Sequence, residues 1–403
     1  MQTVRYIILG AGPAGLSVAH RLLDLGEKSF VVLEKEDEPG GLCRSQIVDG
    51  APLDIGGGHF LDVKRQGVLD FLFRFLPRDE WLQYDRVSTI KIHGTQIDYP
   101  FEASLWQLPL DQQVDYLESI ARAGCTRGET MPESFSDWIR WKLGDLIAET
   151  YMLPYNRKIW SIDLDRLGTY WLHKLPNVSF RETLISCLKR APAGAMPAHA
   201  KFFYPKRGGY GDVWRRMGKQ LGMKLHLGEA VKRIDLDTLT VNGAYRADKI
   251  ITTIPWHEML AGTAFPGHVR DLIQKLEYTS VEVGYYAKAD PDHGDAHWTY
   301  DPDPYVPHHR VLNRYTFCPG ARGYWTETNL KRAAKRGATA EWAHINTYAY
   351  PLNLMGKPEV VQALGKWGRE NGFVSVGRWG EWEHMNSDVA VERGMAAADK
   401  LVS

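Results

Sequence analysis

Val4-Arg5-Tyr6-Ile7-Ile8-Leu9 runs directly into Gly10-Ala11-Gly12-Pro13-Ala14-Gly15, then into an amphipathic stretch and a second apolar run, Phe30-Val31-Val32-Leu33, closed by Glu34. Strand, glycine turn, helix, strand and acidic residue, in this order, make a dinucleotide-binding unit. Gly10 permits the tight turn, Gly12 lets the backbone come up to a pyrophosphate, and Gly15 lets helix and strand pack closely. The helix N-terminus then faces the phosphates, with Ala14 and Lys35 completing the expected cradle. Glu34 is placed to accept hydrogen bonds from ribose hydroxyls and would repel a 2′-phosphate, which argues against NADP in this unit.

Two further segments narrow the choice of dinucleotide. Gly40-Gly41-Leu42-Cys43-Arg44 adds a second close backbone approach and a guanidinium able to pair bidentately with phosphate. Asp54-Ile55-Gly56-Gly57-Gly58-His59 again brings bare backbone and one imidazole toward a bound group. An NAD domain needs neither, so FAD is favoured over NAD. The arrangement resembles the FAD domain of the glutathione-reductase, amine-oxidase and protoporphyrinogen-oxidase superfamily. That resemblance implies an α/β fold: a Rossmann-like FAD-binding domain of the glutathione-reductase type, with an inserted helical domain and an antiparallel-sheet substrate domain.

The chain has 403 residues, with Lys plus Arg and Asp plus Glu balanced at 49 each. This length predicts more than one domain. No basic stripe interleaved with aromatics is present, so a polynucleotide partner is not expected, whereas a few arginines converging on a small anionic substrate would suit the charge balance. The first strand begins so close to Met1 that no signal peptide is expected. No apolar run approaches the ~20 residues that span a bilayer, so no membrane span is expected. Cys43, Cys125, Cys187 and Cys318 are scattered, without metal-ligand or disulfide spacing, and predict reduced thiols in a cytoplasmic protein. Among the 14 histidines His308 and His309 are adjacent and no HxH element occurs, and no metal is expected. Aromatics of the helical region leave a homo-oligomer open.

No internal repeat is visible, and the domains read as interleaved. The expected division is 1–95 for the first FAD-binding segment, 96–199 for a helical substrate or lid domain, 200–260 for the second FAD-binding segment, 261–364 for the sheet substrate domain, and 365–403 for the third FAD-binding segment. Ser134 opens a helix with a capping-box-like start, and Trp138, Ile139, Leu143 and Ile147 follow at helical spacing, with Pro154 expected to end the run. Residues 225–255 read as a strand meander with an Asn242-Gly243 hairpin. The superfamily resemblance implies an adenine contact through Val231, and flavin contacts from Gly57, Gly58, Gly377, Arg378 and Asn386.

Tyr99-Pro100-Phe101, Pro154-Tyr155-Asn156 with Trp160, Phe203-Tyr204-Pro205 ahead of Arg207-Gly208-Gly209, Arg310 after Pro307-His308-His309, and Tyr350-Pro351 share an order and spacing. Together they resemble UDP-galactopyranose mutase, the eukaryotic branch above all. The resemblance implies a nucleotide-sugar substrate and a reaction without net redox change. Reduced FAD attacks the anomeric carbon through N5, the nucleoside diphosphate leaves, and the adduct opens and recloses so that pyranose and furanose forms interconvert. NADPH is the implied reductant. Among implied catalytic residues, Arg310 matches a diphosphate-binding arginine, Tyr350 a diphosphate-contacting tyrosine, and His59 a histidine on a mobile loop beside the flavin. Tyr99, Asn156 and Trp160 match the nucleotide pocket.

Departures from that pattern are as specific as the matches. A second diphosphate arginine is replaced within His173-Lys174-Leu175-Pro176, where Lys174 brings charge without the bidentate fork. Glu102 stands for a uracil-reading glutamine, His199 for a pocket asparagine, His384 for a phosphate-side tyrosine, and Asp62 for an aromatic of the histidine loop. A carboxylate at Glu102 suits an amino or imino edge, as guanine offers, better than uracil. The alternative function is an FAD-dependent oxidase or dehydrogenase of the amine-oxidase or protoporphyrinogen-oxidase type, which the same flavin segments support. A non-catalytic flavin module is the third reading.

Overall fold

Gln2–Leu9 is an inner strand of the first sheet, with parallel neighbours on both sides: Ile7 lies opposite Val31 of Phe30–Leu33 and opposite Ile250 of Tyr245–Thr252. The computed structural model describes residues 1–172, 177–192, 200–288, 294–334 and 339–402. Unbroken Val and Ile runs are what a parallel strand covered on both faces requires, and here each face feeds its own core. Ile8 and Val32 pack with Leu16 and Val18 of helix Pro13–Asp24. Ile7, Leu9, Val31 and Leu33 pack on the other side with Trp256, Val269 and Leu364. Asn242 and Gly243, at φ 54° and 68°, turn the short hairpin that leads into Tyr245–Thr252. From the far end of the chain, Phe373–Ser375 joins Tyr245–Thr252 in parallel, and helix Ser387–Val402 packs on Pro13–Asp24. The first sheet therefore draws on three separated stretches of sequence.

The second sheet has the order Trp342–Pro351, Tyr278–Tyr286, Tyr324–Asn329, Arg310–Leu312, Trp298–Tyr300, Ser88–Ile92, Thr95–Asp98. It is antiparallel except where Trp298–Tyr300 runs parallel to Ser88–Ile92. Strand Ser88–Ile92, early in the chain, is thus built into a sheet otherwise made mostly from residues beyond 278.

Helices fill much of 101–189. Ser134 caps Phe135–Ile147 by accepting from the Asp137 N–H, and Phe135, Ile139 and Ile147 are fully buried. Pro154 does not end this run. The chain passes through a π-helical turn at Ala148–Met152 into a helix, Leu153–Trp160, whose first turn contains the proline. The wider π-helical turn ahead of the proline is the kind of local adjustment by which a helical run tolerates a residue without an N–H. The correction matters, since it carries Asn156 and Trp160 on one helix toward the second sheet. No helix among the described residues is long and apolar enough to cross a membrane.

Gly15 lies where helix Pro13–Asp24 crosses the strand it follows, and a Cβ there would stand 2.0 Å from the Gly10 carbonyl oxygen. Gly67, inside helix Gln66–Phe73, has nothing within 4 Å of that position. Thermal denaturation of the holoprotein should therefore separate two identical chemical changes. Gly15→Ala loses about 3 kcal/mol through overpacking against backbone, with flavin lost on purification, whereas Gly67→Ala gains up to about 1 kcal/mol from reduced chain entropy.

Candidate active site

Beyond the carboxyl ends of the parallel strands lies a cleft of about 280 Å³. Gly10, Gly12 and Ala14 contribute the turn and helix N-terminus to its wall, and Glu34 and Lys35 the end of the second strand. Gly41, Leu42 and Arg44 contribute the second glycine pair, and Arg378 and Asn386 the C-terminal segment. Gly15 lies beneath the turn, and Gly377 abuts Ala14. Val231 is half-buried at the edge of the neighbouring core, in a segment whose Glu229 N–H donates to the Glu34 carbonyl at 2.8 Å.

The donor set fits a flavin dinucleotide. The Glu34 side chain is organised by the N–H groups of Ala11 (2.7 Å) and Glu36 (3.1 Å), one on each carboxylate oxygen, so further lone pairs are aimed for diol hydroxyls. Burial pushes its carboxyl above the usual range, against those two bonds, which is the condition a pair of hydroxyl donors relieves. Arg44 donates to the Gly41 carbonyl (3.1 Å) and pairs with Glu36 (3.0 Å). Lys35 pairs with Glu258 at 3.1 Å.

The loop after the first hairpin joins this cleft to the second sheet. Glu327 faces Arg310 in register across two antiparallel strands and takes its guanidinium bidentately, Nε at 3.0 Å and Nη2 at 2.6 and 2.8 Å. The same carboxylate accepts the Gly58 N–H at 2.8 Å and lies 3.5 Å from His309 Nε2. Gly57 passes so close, at φ 93°, that a Cβ would stand 2.4 Å from Glu327 Oε1. Burial alone would push the Glu327 carboxyl up; Arg310, His309 and the Gly58 N–H overcome it and hold it down at about 2. Next in the loop, His59 lines the cleft, with Nδ1 3.1 Å from the Gly57 carbonyl. Burial, helped by the positive charges of Arg378 and Arg310, lowers its pKa to about 4, so the imidazole is neutral at physiological pH.

Tyr350 belongs to the same cluster: burial, then Glu327, raises its phenol pKa, while Arg310 and Arg378 act the other way. Arg378 stands 5.7 Å from the Tyr350 ring and is held by carbonyls alone, two bonds to Met385 and one of 3.0 Å to Ala349. Burial lowers its pKa, a sign that a negative charge would be welcome beside it. Tyr155, Tyr300 and Tyr99 form the adjoining aromatic wall, with ring centroids 5.4 Å apart for Tyr155 and Tyr300 and 5.1 Å for Tyr99 and Tyr300. Arg86 lies over Tyr99 at 4.4 Å.

Other expected pocket residues are engaged differently. Asn156 spends its amide inside its own helix, donating to the Met152 carbonyl (2.8 Å) and accepting from Trp160 Nε1 (2.9 Å), which fixes the indole 6.0 Å from the Tyr350 ring. His384 lies 5.1 Å from Tyr350 on its C-terminal side. Glu102 is buried, and burial raises its carboxyl pKa. Lys174 and His199 lie outside the described residues. Sequence reading missed Glu327, Tyr300 and Lys158. Glu327 had one available signal, an acid between two β-branched threonines in Tyr324–Asn329 at a position that alternation aims the same way as Trp325. Lys158 is almost wholly buried and donates to the carbonyls of Asp301 (2.7 Å) and Asp303 (2.8 Å), tying the Asn156 helix to the loop that leads to Arg310.

The sequence matches the model of the flavin containing amine oxidoreductases over residues 13–287. The chain belongs to that family, and it is a flavoprotein by membership. Putrescine oxidase of Kocuria rosea is 49% identical over 51 residues, which span 13% of this chain and 10% of the oxidase. The fold is similar to that of reduced UDP-galactopyranose mutase, with a TM-score of 0.87, 24% identity, and coverage of 100% of this chain and 94% of the other. A protein of Exiguobacterium sp. 255-15 described as a protoporphyrinogen oxidase has a TM-score of 0.72 at 14% identity, covering 99% of this chain and 98% of its own.

Removing the Glu327 charge leaves the largely but not fully buried Arg310 without its carboxylate, so Glu327→Gln should destabilise the protein by about 3 kcal/mol in urea denaturation. Because the Glu327 carboxyl is held at about 2, below its ordinary 4.5, its contribution is complete above pH 4.5 and lost as pH falls toward 2. The variant should lack that part of the acid dependence. Identical stability–pH curves for the two proteins would take this pair out of the account.

Proposed function

We propose that this protein is a flavin-dependent mutase that interconverts pyranose and furanose forms of a nucleotide sugar. The observation that carries the reading is the convergence of Arg310, Tyr350, Tyr155 and His59 on one mostly buried site where the flavin cleft meets the second sheet. The end-to-end likeness to the fold of reduced UDP-galactopyranose mutase supports it. Bound FAD in its reduced form would supply the nucleophile, with NADPH as a source of electrons. The chain's own residues would bind, orient and exclude water.

Arg310 would hold the diphosphate with its remaining donor, Nη1, while Glu327 fixes the guanidinium plane. Tyr350 and Tyr155, with phenol pKa values raised by burial, stay protonated and would donate to diphosphate oxygens. Neutral His59 can accept from or donate to a sugar hydroxyl without adding charge beside the flavin. Trp160, packed against Tyr350, and Tyr99, beneath Arg86, would form the aromatic wall beside the nucleotide. Glu102 would face the base, where a buried carboxyl selects an N–H edge over a carbonyl. A cytoplasmic location and a role in carbohydrate biosynthesis belong to the same proposal.

A second reading, an amine oxidase, has one observation in its favour. Glu327 offsets most of the Arg310 charge, which weakens the site's hold on a diphosphate and suits an uncharged substrate.

The test is anaerobic. Purified protein reduced with dithionite is incubated with UDP-, GDP- and dTDP-hexoses, and pyranose and furanose forms are separated by chromatography. The mutase reading expects conversion of at least one, lost when the flavin is left oxidised. Arg310→Ala should then lose about 2–4 kcal/mol of transition-state stabilisation in kcat/KM. Every substrate returned unchanged by protein carrying intact flavin would overturn the reading.

A further inference from the structure

We infer that the edge strand Trp342–Pro351 of the second sheet is a binding wall for the dinucleotide, and that His344 contacts its diphosphate across the cleft from the glycine turn. The inference rests on the flavin cleft and stands whether the enzyme is a mutase or an oxidase.

Trp342–Pro351 ends its sheet, paired on one side with Tyr278–Tyr286. Five consecutive residues of it, His344, Ile345, Asn346, Thr347 and Tyr348, line the cleft. Successive side chains of a strand point to opposite faces, so a cleft above one face would meet alternate residues only. Of the five, His344, Ile345 and Asn346 lie opposite Val283, Glu282 and Val281 in regular register, which shifts beyond Asn346, and three in succession within the regular part mean that the cleft runs along the strand's edge.

That strand is already tied to the flavin-side segments at two points. Arg378 donates to the Ala349 carbonyl at 3.0 Å, and Asn346 donates to the Ile55 carbonyl at 2.7 Å. No further strand pairs with this edge among the described residues. An uncovered edge invites association with other strands, and a bound dinucleotide would close this one. Ile345 is 51% exposed, apolar surface that a ligand in the cleft would cover.

The charge pattern places His344. Its imidazole feels Arg44 and Glu36, which pair with each other on the opposite wall beside the phosphate-binding turn. Burial first, then Arg44, lower its pKa, and Glu36 acts the other way. An anionic diphosphate would add the missing negative charge. Since Glu36 occupies Arg44 and Glu258 occupies Lys35, the imidazole is a donor at this end of the cleft that no carboxylate holds within bonding distance among the described residues.

Two measurements test this, and neither depends on turnover. Apoprotein reconstituted with FAD is titrated by flavin fluorescence. His344→Ala should weaken FAD binding about tenfold, and His344→Gln, which keeps a donor, should recover part of the loss. Hydrogen exchange is then compared between apo and holo wild-type protein. Amides of 343–348 should exchange at least tenfold more slowly in the holoprotein, while those of the inner strand Tyr324–Asn329 change little. Equal FAD affinity for His344→Ala and wild type overturns the histidine contact, and equal exchange at 343–348 in both forms overturns the edge wall.

Discussion

A single buried carboxylate holds the two halves of this site together. Glu327 binds Arg310 on the neighbouring strand and takes the Gly58 N–H from the loop that carries His59. Taking a carboxylate out of water costs several kcal/mol, and here the cost is offset only because a guanidinium and a backbone N–H converge on it. Asp54 shows the contrast. Equally buried but bonded only to Ser45, Tyr204 and the Tyr210 N–H, with Arg215 acting on it without a direct bond, it has its pKa pushed up by burial to about 7. The same burial therefore yields opposite protonation behaviour in two carboxyls, and the difference is a guanidinium in direct contact. Because the Glu327 bond network spans the flavin-side loop and the second sheet, anything that moves one is felt by the other.

The arrangement also explains why the site lies where it does. Parallel strands leave their carboxyl ends and a helix N-terminus pointing at one crevice, which suits a dinucleotide. The antiparallel sheet closes the crevice with its edge strand, and a buried lysine, Lys158, fastens the helix of Asn156 and Trp160 to the loop before Arg310. Buried tyrosines there stay protonated, so they can donate hydrogen bonds without contributing charge.

Much of the fold was legible because it is local. The first strand, glycine turn, helix and second strand are adjacent in sequence, and each residue's role follows from its neighbours. The Asn242-Gly243 hairpin was equally readable, since positive φ at both residues is a local demand. What depends on distant partners was not. Glu327 meets its arginine across a strand pair and its N–H donor 269 residues away, so no window of sequence contains the site's central bond. Pro154 was misread because a proline can open a helix as well as end one, and the preceding π-helical turn gives no sequence warning. Asn156 stands beside the expected pocket, yet its amide is consumed by its own helix, a choice of rotamer that spacing cannot reveal.

The central claim is that this site uses its flavin without net oxidation of the substrate. The most direct measurement follows the flavin's visible absorbance under strict anaerobiosis, while nucleotide hexoses and, separately, primary amines are added to the oxidised holoprotein. The account predicts an unchanged oxidised spectrum with every amine and at most binding perturbations with the nucleotide hexoses. Stoichiometric bleaching by an amine, with release of the oxidised product, would contradict it and assign the arginine–tyrosine site to hydride transfer.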